Sequence, residues 1–150
     1  MTAAGMPMAD AARRLRRNGL AGGAMALLIL ALAPPTAGVH GFAGPLAWWL
    51  LLALCLVSLA FSVHLLFDAA LFRLGASHDA EDVGLAAIDD VLSRTGLRAP
   101  GGVAKTLPER LAGCARLLRL QRISLLTGLA LYVILILGAM NGDGVRLVSP

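Results

Sequence analysis

Between Arg17 and Asp68 the chain carries no Asp, Glu, Lys or Arg. A stretch that long without charge exceeds any single core helix. It also exceeds one bilayer crossing, which needs roughly 20 apolar residues. Two crossings joined by a tight turn fit it, so lipid rather than a soluble core is the expected surrounding.

Composition agrees. Across 150 residues, 58% are hydrophobic and 15% charged, where a soluble globular chain carries about a quarter charged. The net charge of +4 would suit nucleic acid, but the positive residues flank the apolar segments, as they do in inserted proteins, and no nucleic-acid motif accompanies them. Nucleic acid is therefore not an expected partner. Apart from Lys105 every basic residue is arginine, a bias consistent with a GC-rich bacterial genome.

Residues 1–18 read as a basic cytoplasmic segment. Met1 to Asp10 lack periodicity and are expected to fray; Arg13, Arg14, Arg16 and Arg17 then form a compact cluster. A first crossing spans about 19–39. Its basic flank, short apolar run and Ala31-Leu32-Ala33 also have the form of a secretory signal. Proline directly after that site, and apolar residues continuing to Val39, favour a retained helix. His40 to Pro45 reads as a tight turn, with glycines for unusual backbone angles and proline opening the next helix. The second crossing covers about 46–74, with Trp48 and Trp49 at an interface, and its last turns, with Asp68 and Arg73, emerge into the cytoplasm. The third covers 122–140. Asn141-Gly142-Asp143-Gly144 should break it, leaving 141–150 as a short external tail.

Orientation follows from the basic residues. Four arginines precede the first crossing, none lies in the turn, eight basic residues lie from Asp68 through Arg122, and Arg146 alone follows. By the positive-inside rule the amino terminus and the 75–121 segment face the cytoplasm and the carboxyl terminus faces outward. The expected location is a bacterial inner membrane.

The cytoplasmic segment reads as two helices. Over Ser77 to Leu97, Leu85, Ile88, Val91 and Leu92 recur at helical spacing while Asp79, Glu81, Asp82, Asp89 and Asp90 supply acid. Arg94 suits the last turn, Gly96 the stop and Arg98 to Gly102 a loop. Thr106 to Glu109 forms a capping box. The helix it opens has no breaker before the membrane, so it should run from Leu107 into the third crossing, about 50 Å in all. Leu111, Cys114 or Ala115, and Leu118 form one stripe; Arg110, Arg116, Arg119 and Arg122 take other faces. An acidic helix beside a basic one predicts an antiparallel hairpin. Two short helices bury little surface, so the membrane or a partner is expected to complete their core. The expected fold is thus an all-α membrane protein with three transmembrane helices and a cytoplasmic helical hairpin between the second and third.

Little chemistry is legible. Cys55 and Cys114 fall in different environments without metal-ligand spacing, and read as small packing residues. His64 and Asp68 are four apart on one helix face, an arrangement that would serve a proton relay or an oriented metal or haem ligand. His64 also lies about 27 Å along its helix from Leu46, where both side chains would simply reach water. His40 and His78 fall on opposite sides of the expected membrane, so neither joins His64 on a shared haem. Gly19 with Gly23 and Gly22 with Ala26 are small-xxx-small spacings that allow close helix contact; Ser124 and Gly128 are a weaker version. Arg13, Arg14, Arg16, Arg17, Arg116, Arg119 and Arg122 are candidates for anionic headgroup contact.

No nucleophile elbow, phosphate loop, zinc motif or embedded carboxylate pair occurs, and no charge falls in the expected bilayer core, where carriers keep functional ionisable groups. The expectation is a non-enzymatic accessory subunit, assembly factor or scaffold without a cofactor, contacting lipid and a protein partner or a second copy. Two other readings stay open. One is a redox or proton-handling subunit using His64 and Asp68 with a cofactor shared with another chain; the other is an oligomeric pore or small-solute carrier.

Overall fold

A computed structural model describes residues 5–36, 44–96 and 106–146. These form four helices: α1 (Gly5–Thr36), α2 (Gly44–Gly75), α3 (Glu81–Arg94) and α4 (Leu107–Arg146). Most of the expected turn at 40–45, the loop at 98–102 and the last residues of the tail lie outside the described residues.

Three helices are long and apolar enough to cross a membrane, over Met8–Thr36, Pro45–Gly75 and Leu107–Ala139. Each exceeds that need. The 40 residues of α4 rise about 60 Å, against a hydrocarbon thickness of about 30 Å.

Each long helix buries one stripe with steps of four and three. In α1 it is Met8, Ala12, Leu15, Gly19, Gly22, Ala26, Ile29 and Ala33; in α2 it is Leu51, Cys55, Ser58, Ser62, Leu65, Ala69 and Phe72. That spacing averages 3.5 residues and keeps one face toward neighbouring helices over many turns.

The chain divides into two compact units. Unit one comprises Met1–Leu20 with Val63–Leu118; unit two comprises Ala21–Ser62 with Arg119–Pro150. Among the described residues, every charged one except Arg119, Arg122, Asp143 and Arg146 belongs to unit one.

The core of unit one joins Met8, Ala12 and Leu15 of α1, Leu65, Ala69 and Phe72 of α2, and Leu107 and Cys114 of α4, with Leu85 of α3 packed against it. One expectation is corrected here. The segment before Asp10 is not frayed from Gly5 onward but opens α1, because Met8, 1% exposed, anchors it. The ends of α1 and α2 add apolar surface to the core that α3 and α4 contribute to.

The core of unit two joins Ala26, Ile29 and Ala33 of α1, Leu51 and Cys55 of α2, and, half-buried, Leu125, Leu131, Tyr132 and Leu135 of α4. Outside it stand apolar side chains such as Leu27, Leu50, Leu126 and Ile134, all more than half exposed. Water would penalise that surface and lipid would not. Trp48 packs inward and Trp49 outward.

In α1, Pro34 and Pro35 sit inside the last turn and, having no N–H, leave the Leu30 and Ala31 carbonyl oxygens without their usual helical donors. The Thr36 hydroxyl donates to the Leu32 carbonyl oxygen and lies 2.6 Å from the Tyr132 hydroxyl, which therefore donates to it. Two helix ends differ from expectation. Helix α4 runs through Asn141–Gly144 to Arg146 instead of breaking. α3 is shorter than the 77–97 pattern, and its end is marked as expected by Gly96 at φ +70°. Glu109 closes half of the capping box, accepting from the Thr106 backbone N–H at 2.9 Å and from its hydroxyl at 3.1 Å.

Candidate functional site

α3 is held on unit one by an unusually close backbone contact. Gly75 at the end of α2 has no positive φ, so its glycine serves packing rather than capping. A β-carbon there would lie 2.9 Å from Ile88 Cδ1 and 3.0 Å from Met8 Sδ. Across the contact, Gly84 brings its own backbone against the Gly75 carbonyl. Ile88, 1% exposed, seals the joint one turn on. An ion pair between Asp89 and Arg110 completes it, its side chains only 23% and 11% exposed.

This clamp decides what α3 presents. Glu81, Asp82, Val83, Ala86 and Asp90 are exposed, and Val83 keeps half of its surface free. Asp90 is paired with Arg94 at 2.9 Å, an exposed i,i+4 pair. The outward face is a short acidic strip with two apolar side chains, Val83 and Ala86.

His64 and Asp68 are not brought together. His64 is exposed on α2, whereas the Asp68 carboxylate accepts from the Cys114 thiol at 3.4 Å. Among the described residues no hydrogen bond joins the two, and no three metal-ligating side chains converge. His78 Nδ1 lies 3.1 Å from the Leu74 carbonyl oxygen; His40 is outside the described residues.

The small-residue stripe of α1 meets polar side chains in unit two. Gly22 lies against the Gln121 amide, and a β-carbon there would sit 2.7 Å from Gln121 Cδ. Gly23 lies against Ser62, at 3.3 Å by the same measure, and Ala26 is fully buried. Gln121, 2% exposed, donates to Ser62 Oγ at 2.7 Å, and Ser62 donates to the Ser58 carbonyl oxygen at 2.9 Å. Ser124 donates to the Leu54 carbonyl oxygen at 2.9 Å, while Gly128 makes ordinary contact with Leu54. Among the described residues the buried Ser58 hydroxyl has no hydrogen-bond partner. Gly19, in unit one, is buried.

Sequence reasoning did not single out Ser58, Ser62, Gln121 or Gly84. The first two were detectable as hydroxyls four apart in an apolar helix, and Gly84 as a helix-weakening residue inside an amphipathic helix.

Arg13, Arg14, Arg16 and Arg17 of α1, and Arg116, Arg119 and Arg122 of α4, are all exposed. Arg13 pairs with Asp10.

Among the described residues the fold is all-helical, with one short amphipathic helix and three apolar helices long enough to cross a membrane, which suggest a multi-pass membrane protein. The chain matches no protein-family model, no curated protein and no solved structure.

Proposed function

We propose that this chain is a small, non-enzymatic membrane protein, an accessory subunit, assembly factor or scaffold, that displays α3 as a docking element for a protein partner. In this reading the membrane is a bacterial inner membrane, the amino terminus and the 75–121 segment face the cytoplasm, and the carboxyl terminus faces outward. α3 and the first turns of α4 act as an antiparallel hairpin whose charge is split between an acidic and a basic helix.

The observation that carries the reading is the clamp. Gly75, Gly84, Ile88 and the Asp89–Arg110 pair fix a 14-residue helix on unit one while its acidic strip stays exposed. A helix this short is marginal alone. Anchored, it offers a preorganised surface, which lowers the ordering cost of binding. The strip suits a partner with basic residues around a small apolar contact.

Affinity capture in mild detergent tests this, comparing the native chain with a Glu81→Lys/Asp82→Lys/Asp90→Lys variant. A specific chain retained by the native protein and lost on charge reversal is the expected result. Equal retention by both, or retention of nothing by either, overturns the proposal.

A further inference from the structure

Where the start of α1 meets the end of α2, both within unit one, short side chains leave an open groove of about 530 Å³. Buried Ala12 and Ala69 line it with half-buried Leu66, and exposed Arg13, Arg16 and Arg73 stand around them. Three guanidinium groups around one groove repel one another. Arg13 is compensated by Asp10, but among the described residues Arg16 and Arg73 have neither an ion pair nor a hydrogen-bond partner.

The groove therefore joins two chemistries. Its cations call for an anion, and guanidinium groups match phosphate oxygens in paired hydrogen bonds. Its lining calls for hydrocarbon, since Ala12, Leu66, Ala69, Ala70 and Ala76 make up the surface between the arginines. A free anion would satisfy only the first demand and an aliphatic chain only the second.

We propose that this groove is a binding site for a phospholipid of net negative charge drawn from the surrounding bilayer. Arg16 and Arg73 hold its phosphodiester and an acyl chain lies along Ala69 and Leu66. Basic pockets between membrane helices hold anionic headgroups in this way. The site rests on the membrane reading but not on docking at α3. It includes Arg73, which the sequence did not mark as a lipid contact, and excludes Arg17.

Native mass spectrometry of the detergent-purified full chain tests the site. The protein is incubated with equal amounts of phosphatidylglycerol and phosphatidylcholine carrying identical acyl chains. The native chain should retain the anionic lipid roughly five- to tenfold over the zwitterionic one, a preference of the size that about one extra charge contact gives. Arg16→Ala/Arg73→Ala should abolish the preference, whereas Arg116→Ala/Arg119→Ala should keep it. Ala70→Phe fills the groove without touching a charge and should also lose the lipid, so the test survives if the double arginine variant fails to fold. No preference in the native chain overturns the proposal. So does an unchanged preference in both groove variants, an equal loss in the Arg116/Arg119 control, or displacement of the lipid by millimolar inorganic phosphate.

Discussion

Gly84 touches Gly75 backbone to backbone: a β-carbon on Gly84 would lie 2.5 Å from the Gly75 carbonyl oxygen and 3.1 Å from its carbonyl carbon. Neither atom can turn aside as a side-chain tip could. α3 thus sits on unit one at a distance that only glycine permits.

Gly84→Ala should accordingly destabilise the protein by about 1–3 kcal/mol, the usual cost of overpacking, even though alanine is the better helix former. Gly113→Ala is the matched control, because a β-carbon there meets nothing within 4 Å; it should stabilise by about 0.5–1 kcal/mol. Thermal unfolding in detergent reads both. A neutral Gly84→Ala would mean that α3 is not held at this contact.

The Gln121–Ser62 bond should couple two helices in unit two. A cycle of Gln121→Ala, Ser62→Ala and the double variant should give an interaction energy of about 0.5–2 kcal/mol. Gly22→Ala adds a check, since its new methyl meets the Gln121 side chain. Its cost should shrink sharply in the Gln121→Ala background. Additive effects throughout would remove the bond from the account.

Two ion pairs that involve α3 should differ in weight. Arg110→Met leaves Asp89 in a largely enclosed setting and should cost about 1–3 kcal/mol, changing little with salt. Arg94→Met breaks an exposed pair and should cost at most about 0.5 kcal/mol, vanishing at high salt. Denaturation series at low and high ionic strength separate the two, and equal costs would contradict the burial difference.

Orientation is open to direct measurement. In a chain lacking its native cysteines, Val83→Cys and Leu46→Cys place thiols at exposed positions of α3 and of the start of α2. A membrane-impermeant maleimide applied to intact cells should label position 46 and spare position 83 until the membrane is opened. Labelling of position 83 from outside would invert the topology.

Helices of spanning length were the most legible feature, because they depend on summed apolarity over about 20 residues, which a linear chain displays directly. The Glu109 cap and the Gly96 stop were legible for a related reason, being local backbone events within a few residues. The start of α1 was not. Met8 and Ala12 carry no signal until Phe72 and Leu107 are placed beside them. Asp68 likewise read as a partner for His64 by helix periodicity, yet it faces Cys114, 46 positions away in the chain.

Alone, the sequence determined that the chain has apolar segments of spanning length, where their charged flanks lie, and that a short acidic helix sits between the second and third. Those properties are sums over neighbouring residues. Only the tertiary structure decided that the ends of α1 and α2 join the core beneath α3, that Gly75 and Gly84 meet, that Gln121 finds Ser62, and that Arg13, Arg16 and Arg73 share one groove. Each joins residues far apart in the chain, and the register of one helix against another is set by shape and packing that no single helix contains.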